Sequence, residues 1–123
     1  MTLDAERATW SGRQGDDWHQ SWTLAATDRT YDGSTLLIQL RNTATGAVIA
    51  ANETNPEGVL DIDQTGTDLS SPPLTFAWTI RDTDSIPVGT DYVIEAQCEI
   101  DGYVTTFFSH QWEVVTQWAV AQA

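Results

Sequence analysis

Asp91-Tyr92-Val93-Ile94-Glu95-Ala96-Gln97-Cys98-Glu99-Ile100 runs into Asp101-Gly102 and out again through Tyr103-Val104-Thr105. Tyr92, Ile94, Ala96, Cys98 and Ile100 alternate with Glu95, Gln97 and Glu99. A period of two is that of an extended strand with one face in a core and the other in water. Asp-Gly between two such runs readily takes the positive φ angles of a two-residue hairpin turn. The stretch therefore predicts a hairpin of Asp91–Ile100 with Tyr103–Ser109.

The same alternation recurs upstream. Leu36, Ile38 and Leu40 alternate with Gln39 and Arg41, and Phe76, Trp78 and Ile80 alternate with Thr75, Thr79 and Arg81. Trp18–Ala25 puts Trp18, Trp22 and Leu24 on one side; Ala47–Ala51 follows a Thr45-Gly46 turn; Val59–Asp63 offers Leu60 and Ile62. Glu113–Trp118 ends the pattern, with Trp112, Val114 and Trp118 in one parity, and a bulge near Ser109-His110 is expected where the parity of Tyr103–Phe108 becomes unclear. Thr is the commonest residue, with 18 copies, and no sustained helical stripe is present, so the composition favours strands. Polar turn clusters at Ser11–Asp17, Ala26–Ser34, Asn52–Gly58, Gln64–Pro73 and Asp82–Thr90 read as loops. The expectation is an all-β, antiparallel β-sandwich of seven to nine strands, as a single domain over 1–123 with short terminal arms at about 1–7 and 117–123.

Charge and composition exclude several functions. Eighteen acids against five bases give a net charge of −13; all five bases are Arg. Nucleic acid and anionic membrane surfaces are disfavoured as partners, because both are held by basic patches. The longest apolar run is Ala47–Ala51, too short to span a bilayer. Met1–Trp10 has neither a basic nor an apolar region, so no signal peptide is expected. Cys98 is the single cysteine and shares the buried parity of Ile94 and Ile100, which makes it a core residue and not a nucleophile. A Cys98–His110–Asp101 arrangement can be drawn, but no established catalytic motif accompanies it.

Acid pairs occur at Asp16-Asp17, Asp28/Asp32, Asp61/Asp63 and Asp82/Asp84. Solvated acids are the expectation for all of them, and no cofactor is expected. A weak calcium site, near Asp61–Gly66 or Asp82–Asp84, is the alternative, although Asp61–Gly66 lacks the third acid and the closing Glu of a full calcium loop. Of the six Trp, Trp22, Trp78 and Trp112 read as core. Trp10 and Trp118 lie near the chain ends and, with Val120, are the candidate partner-binding residues, since exposed aromatics mark interfaces. Exposed rings also form sugar-binding platforms, which keeps a carbohydrate-binding module open as a different class.

The order of these features resembles a known family. Gly15-Asp16-Asp17-Trp18 opens a strand, Asp32-Gly33 precedes Leu36-Leu37-Ile38-Gln39-Leu40-Arg41, and Trp78-Thr79-Ile80 precedes Ile86-Pro87-Val88-Gly89-Thr90-Asp91-Tyr92. Asp101-Gly102-Tyr103-Val104-Thr105 and Glu113-Val114-Val115 close the series. From Trp10 to Val115 this is similar to the small immunoglobulin-like domains of tailed-phage virions, such as the N-terminal domains of siphophage upper baseplate proteins and tail adaptor proteins. It departs from that pattern at Ser34-Thr35-Leu36, where the family carries Leu-Thr-Gly. The resemblance implies an immunoglobulin-like sandwich and a non-enzymatic virion structural protein, made in the host cytoplasm and present in multiple copies. It implies a tail, tail-tip or baseplate adaptor docking on other virion proteins, with capsid decoration as the alternative position.

Overall fold

The computed structural model describes residues 9–24, 31–53 and 57–116. It is all-β. The strands are β1 (Thr9–Arg13), β2 (Trp18–Leu24), β3 (Thr35–Asn42), β4 (Val48–Ala51), β5 (Leu60–Asp68), β6 (Leu74–Ile80), β7 (Gly89–Ile100) and β8 (Tyr103–Val115). One turn of 3-10 helix, Thr83–Ser85, lies between β6 and β7. No described helix is long and apolar enough to cross a membrane.

The eight strands follow the order β1-β8-β7-β3-β4-β5-β6-β2. The edge strands β1 and β2 are consecutive in the chain, so the sheet curls until its two edges meet at the Gln14–Asp17 turn. There the Trp18 indole N–H donates to the Arg13 carbonyl at 2.8 Å. The result is a mixed sheet nearly closed into a barrel. Its strands are not all antiparallel, contrary to the expectation. β1 runs parallel to β8, with Trp10 opposite Trp112, and β4 runs parallel to β5 over Ala50–Leu60 and Ala51–Asp61. β1 and β8 lie about a hundred residues apart, and local sequence cannot announce a partner so far away; β4 and β5 are consecutive, and their two-pair parallel contact leaves no local pattern to read.

The hairpin read from the sequence is present. Asp101 and Gly102 both have positive φ, 53° and 80°, the two-residue turn whose twist matches its strands. Tyr103–Ser109 and the Glu113–Val115 part of the last expected segment form one strand, β8; Thr116 is not in it, and Gln117 and Trp118 lie outside the described residues. The bulge lies at Phe107, slightly earlier than expected: Phe108 pairs with Ala96 and Thr106 with Gln97, leaving Phe107 as the extra residue. The bulge turns both Phe107 and Phe108 into the core.

Three loop boundaries differ from the expectation. Ser11–Arg13 belongs to β1, held by pairing to β8 and not by its own propensity. Gln64–Asp68 extends β5; it carries no apolar residue, yet it pairs with Trp78, Ala77 and Thr75 of β6. β7 begins at Gly89 instead of Asp91.

The interior holds one hydrophobic cluster. Ile38, Leu40, Trp78, Tyr92, Ile94 and Cys98 are buried in it as the alternation predicts, and Leu36 packs against it half-buried. Aromatic rings dominate: Trp78 and Trp112 sit 5.6 Å apart, Trp18 and Trp112 5.2 Å, and Trp22 stacks on Phe107 at 4.9 Å. The Tyr92 hydroxyl donates to the Pro87 carbonyl at 2.7 Å and ties the start of β7 to the loop before it. Burial, and then the Asp91 charge, raises the Tyr92 pKa above its ordinary 10.0. The unfolded chain therefore ionises this tyrosine first. Its contribution to stability is complete below pH 10.0 and is lost as pH rises through the higher folded-state value. Alkaline titration of the unfolding free energy should show a shallower decline in Tyr92→Phe than in the parent; equal slopes would contradict this assignment.

Candidate functional site

The structure does not assemble the drawn Cys98–His110–Asp101 arrangement. Cys98 lies opposite Thr105 and His110 opposite Ile94, so they are four residues apart along the sheet, about 13 Å at strand rise. Both are buried, whereas Asp101 is exposed at the hairpin tip. His110 stacks beneath Trp10 with ring centroids 3.7 Å apart. His19 faces outward and its Nδ1 shares a 2.8 Å hydrogen bond with the Thr79 hydroxyl.

The acid pairs are spread over the surface. Asp61 and Asp63 lie on the outer face of β5, where Asp63 forms an ion pair with Arg81. Asp82 and Asp84 flank Thr83 in the 3-10 turn, and Asp16-Asp17 occupy the β1–β2 turn. Asp28 lies outside the described residues. No group of three or more His, Cys, Asp or Glu comes together among the described residues.

A cleft of about 210 Å³ marks the seam between β1 and β2. Ser11, Arg13, Asp17, His19 and Gln20 line it above Trp18 and Trp112. Its aromatic floor is covered, since both Trp are almost wholly buried. The turn below it is pinned from outside the two strands. The buried Thr83 hydroxyl donates to the Asp16 carbonyl and accepts from the Gly15 N–H at 3.0 Å, and the Gln14 side chain donates to the Ile86 carbonyl at 2.8 Å. Thr83→Val keeps the shape and removes both hydroxyl bonds, so it should cost about 1–3 kcal/mol through the stranded backbone groups. Urea unfolding measures this; an unchanged midpoint would contradict the role given to Thr83.

Of the three candidate partner-binding residues, Trp10 alone is described. It is half-buried on β1, over His110 and beside Phe108 at 5.4 Å, so its ring meets this chain's own core. Trp118 and Val120 lie outside the described residues. Trp18, Trp22, Trp78 and Trp112 are all core.

The large apolar side chains left exposed are elsewhere. Among the described residues they are Val88, Tyr103 at 71% and Val104 at 58%. The register puts them at opposite ends of the β7–β8 ribbon, Val88 just before Gly89 and the other two just after the hairpin turn. Sequence reading missed them because Tyr103 and Val104 fit a strand pattern that presumes cover. Leu69 shows the contrast: it stands between loop residues yet is buried.

No protein-family model, curated protein or solved structure matches the chain.

Proposed function

We propose that the chain is a non-enzymatic structural module of a virion, built on an immunoglobulin-like core and docking on other virion proteins. A tail, tail-tip or baseplate adaptor is the favoured position. The observation that carries the assembly reading is the placing of the exposed apolar residues: Val88 at one end of the long ribbon, Tyr103 and Val104 at the other. A module that joins neighbours end to end leaves apolar contacts at its ends, and the adjacent pair Tyr103 and Val104 offers one at the hairpin end.

Three features support the immunoglobulin-like reading. β2-β6-β5 follows the B-E-D order of such domains and β4-β3-β7-β8 the C′-C-F-G order. Among the described residues, two strand pairings, both between β4 and β5, join these halves. The Tyr92 hydroxyl reaches back to the Pro87 carbonyl at the start of β7, in the manner of a tyrosine corner. A sugar-binding platform would need several exposed rings on one surface; among the described residues Tyr103 is the one exposed aromatic.

The test is to purify virions from cells that express the chain and to probe gradient fractions with an antibody against it. The reading predicts that the chain co-sediments with intact tailed particles and survives a salt wash; labelling on heads instead of tails would select capsid decoration. Recovery of the chain only as free protein would contradict the reading.

A further inference from the structure

We propose that Asn52 is the latch between the two halves of the curled sheet, holding together the side on which β4 meets β5. The latch is independent of the virion reading.

The halves meet here through little main chain. Among the described residues, two strand pairings join β4 to β5, Ala50 with Leu60 and Ala51 with Asp61. β4 covers β3 over Gln39–Arg41 and ends at Ala51, so Leu36–Ile38 runs on past it. Ile38 is fully buried, and its backbone groups need partners. Asn52 supplies them. Its own N–H donates to the Ile38 carbonyl at 3.2 Å, and its Oδ1 accepts from the Ile38 N–H at 2.8 Å. Its Nδ2 donates to the Leu36 carbonyl at 2.9 Å. One residue thus extends the ladder of β3 where β4 stops.

The same Nδ2 also crosses to the other half. It donates to Gln64 Oε1 of β5 at 2.7 Å, and Gln64 Nε2 donates onward to the Thr67 hydroxyl at 2.8 Å. Gln64 shares the parity of Leu60 and Ile62 and lies opposite Trp78, so the crossing passes over the rim of the core. A backbone N–H on one side and a backbone carbonyl on the other leave the Asn52 amide a single orientation. Its two hydrogens and its oxygen are all used. Aspartate has the same shape but no N–H to give, so it cannot complete the latch. Releasing the latch strands backbone groups of β3 and cuts the side-chain link to β5, while the opposite side of the sheet stays tied at the Gln14–Asp17 turn.

The test compares the full chain with Asn52→Ala, Gln64→Ala, their double variant and Asn52→Asp, by urea unfolding and amide exchange. Asn52→Ala should raise the unfolding constant at least about tenfold. Exchange at Ile38 should accelerate beyond that factor, whereas Leu40, paired with Ala50 of β4, should follow the global change alone. Asn52→Asp keeps the acceptor for Ile38 and loses both donors, so stability should fall while the Ile38 amide stays protected. The two alanine changes should depart from additivity by about threefold in the unfolding constant, since each removes the same Asn52–Gln64 bond. Three results would overturn the proposal: unchanged Ile38 exchange in Asn52→Ala, Asn52→Asp as stable as the parent, or strict additivity, which would make Asn52 a cap on β3 and not a link between halves. The Asn52→Asp comparison stands alone if Asn52→Ala does not fold.

Discussion

Trp78→Ala should destabilise the protein by about 3–5 kcal/mol, a large share of the roughly 5–15 kcal/mol that holds a typical domain together. Trp78 is fully buried on β6 and lies where the two halves of the curled sheet face each other, within 5.6 Å of Trp112 and 6.4 Å of Trp10. Removing it leaves a void that the rings on two other strands, Trp10 on β1 and Trp112 on β8, cannot fill without leaving their rotamers. Trp78→Phe should cost clearly less. The Trp78 indole N–H is buried and finds no acceptor among the described residues, so the phenyl ring loses volume but also removes an unsatisfied donor. Chemical denaturation of the two variants decides the matter. Equal losses would mean that the indole nitrogen has a partner, and a small loss in Trp78→Ala would mean that the core is not built around this ring.

Gly12→Ala has the second large effect, for the opposite reason. A methyl on Gly12 would stand 2.5 Å from Trp18 Cε2 and 2.7 Å from Trp112 Cζ2. Those are buried ring atoms, packed against each other and, for Trp112, against Trp78, so they cannot swing aside. The backbone of β1 must lift from β8 instead. Overpacking of this kind costs about 1–3 kcal/mol, and here it also threatens the 2.9 Å bond from Gln14 N–H to the Val115 carbonyl. Amide exchange should show Thr9–Gln14 losing protection while β3 and β7 keep theirs. Unchanged protection in β1 would contradict the close approach.

Gly12 also shows why part of the fold was legible in the sequence and part was not. β3, β6 and β7 declare themselves, because each buries alternate side chains and its apolar residues carry that period. β1 does not. Its inward positions are a tryptophan and a glycine, and its partner β8 lies about a hundred residues away, so Ser11-Gly12-Arg13 reads as a loop until the neighbouring rings are seen. The polar end of β5 is hidden for a related reason: Gln64–Asp68 is exposed on both faces and is a strand only through its backbone pairing to β6. The bulge at Phe107 leaves a trace, two adjacent phenylalanines that no strict alternation can bury together.

The candidate surface was the least legible feature. Trp10 reads as a docking residue because few apolar residues surround it in sequence, yet its neighbours in space are His110, Phe108, Trp112 and Trp78. Tyr103 and Val104 read as ordinary strand residues, and their exposure depends on which edge of β8 receives β1. Exposure is a property of the assembled sheet, and no local pattern carries it.

The most direct test of the assembly account is a reconstruction of purified virions at a resolution that traces strands. The reading predicts one β-domain per site with its Tyr103–Val104 end against a neighbouring protein. Particles that contain the chain with this end facing solvent, or particles that lack the chain, would contradict it.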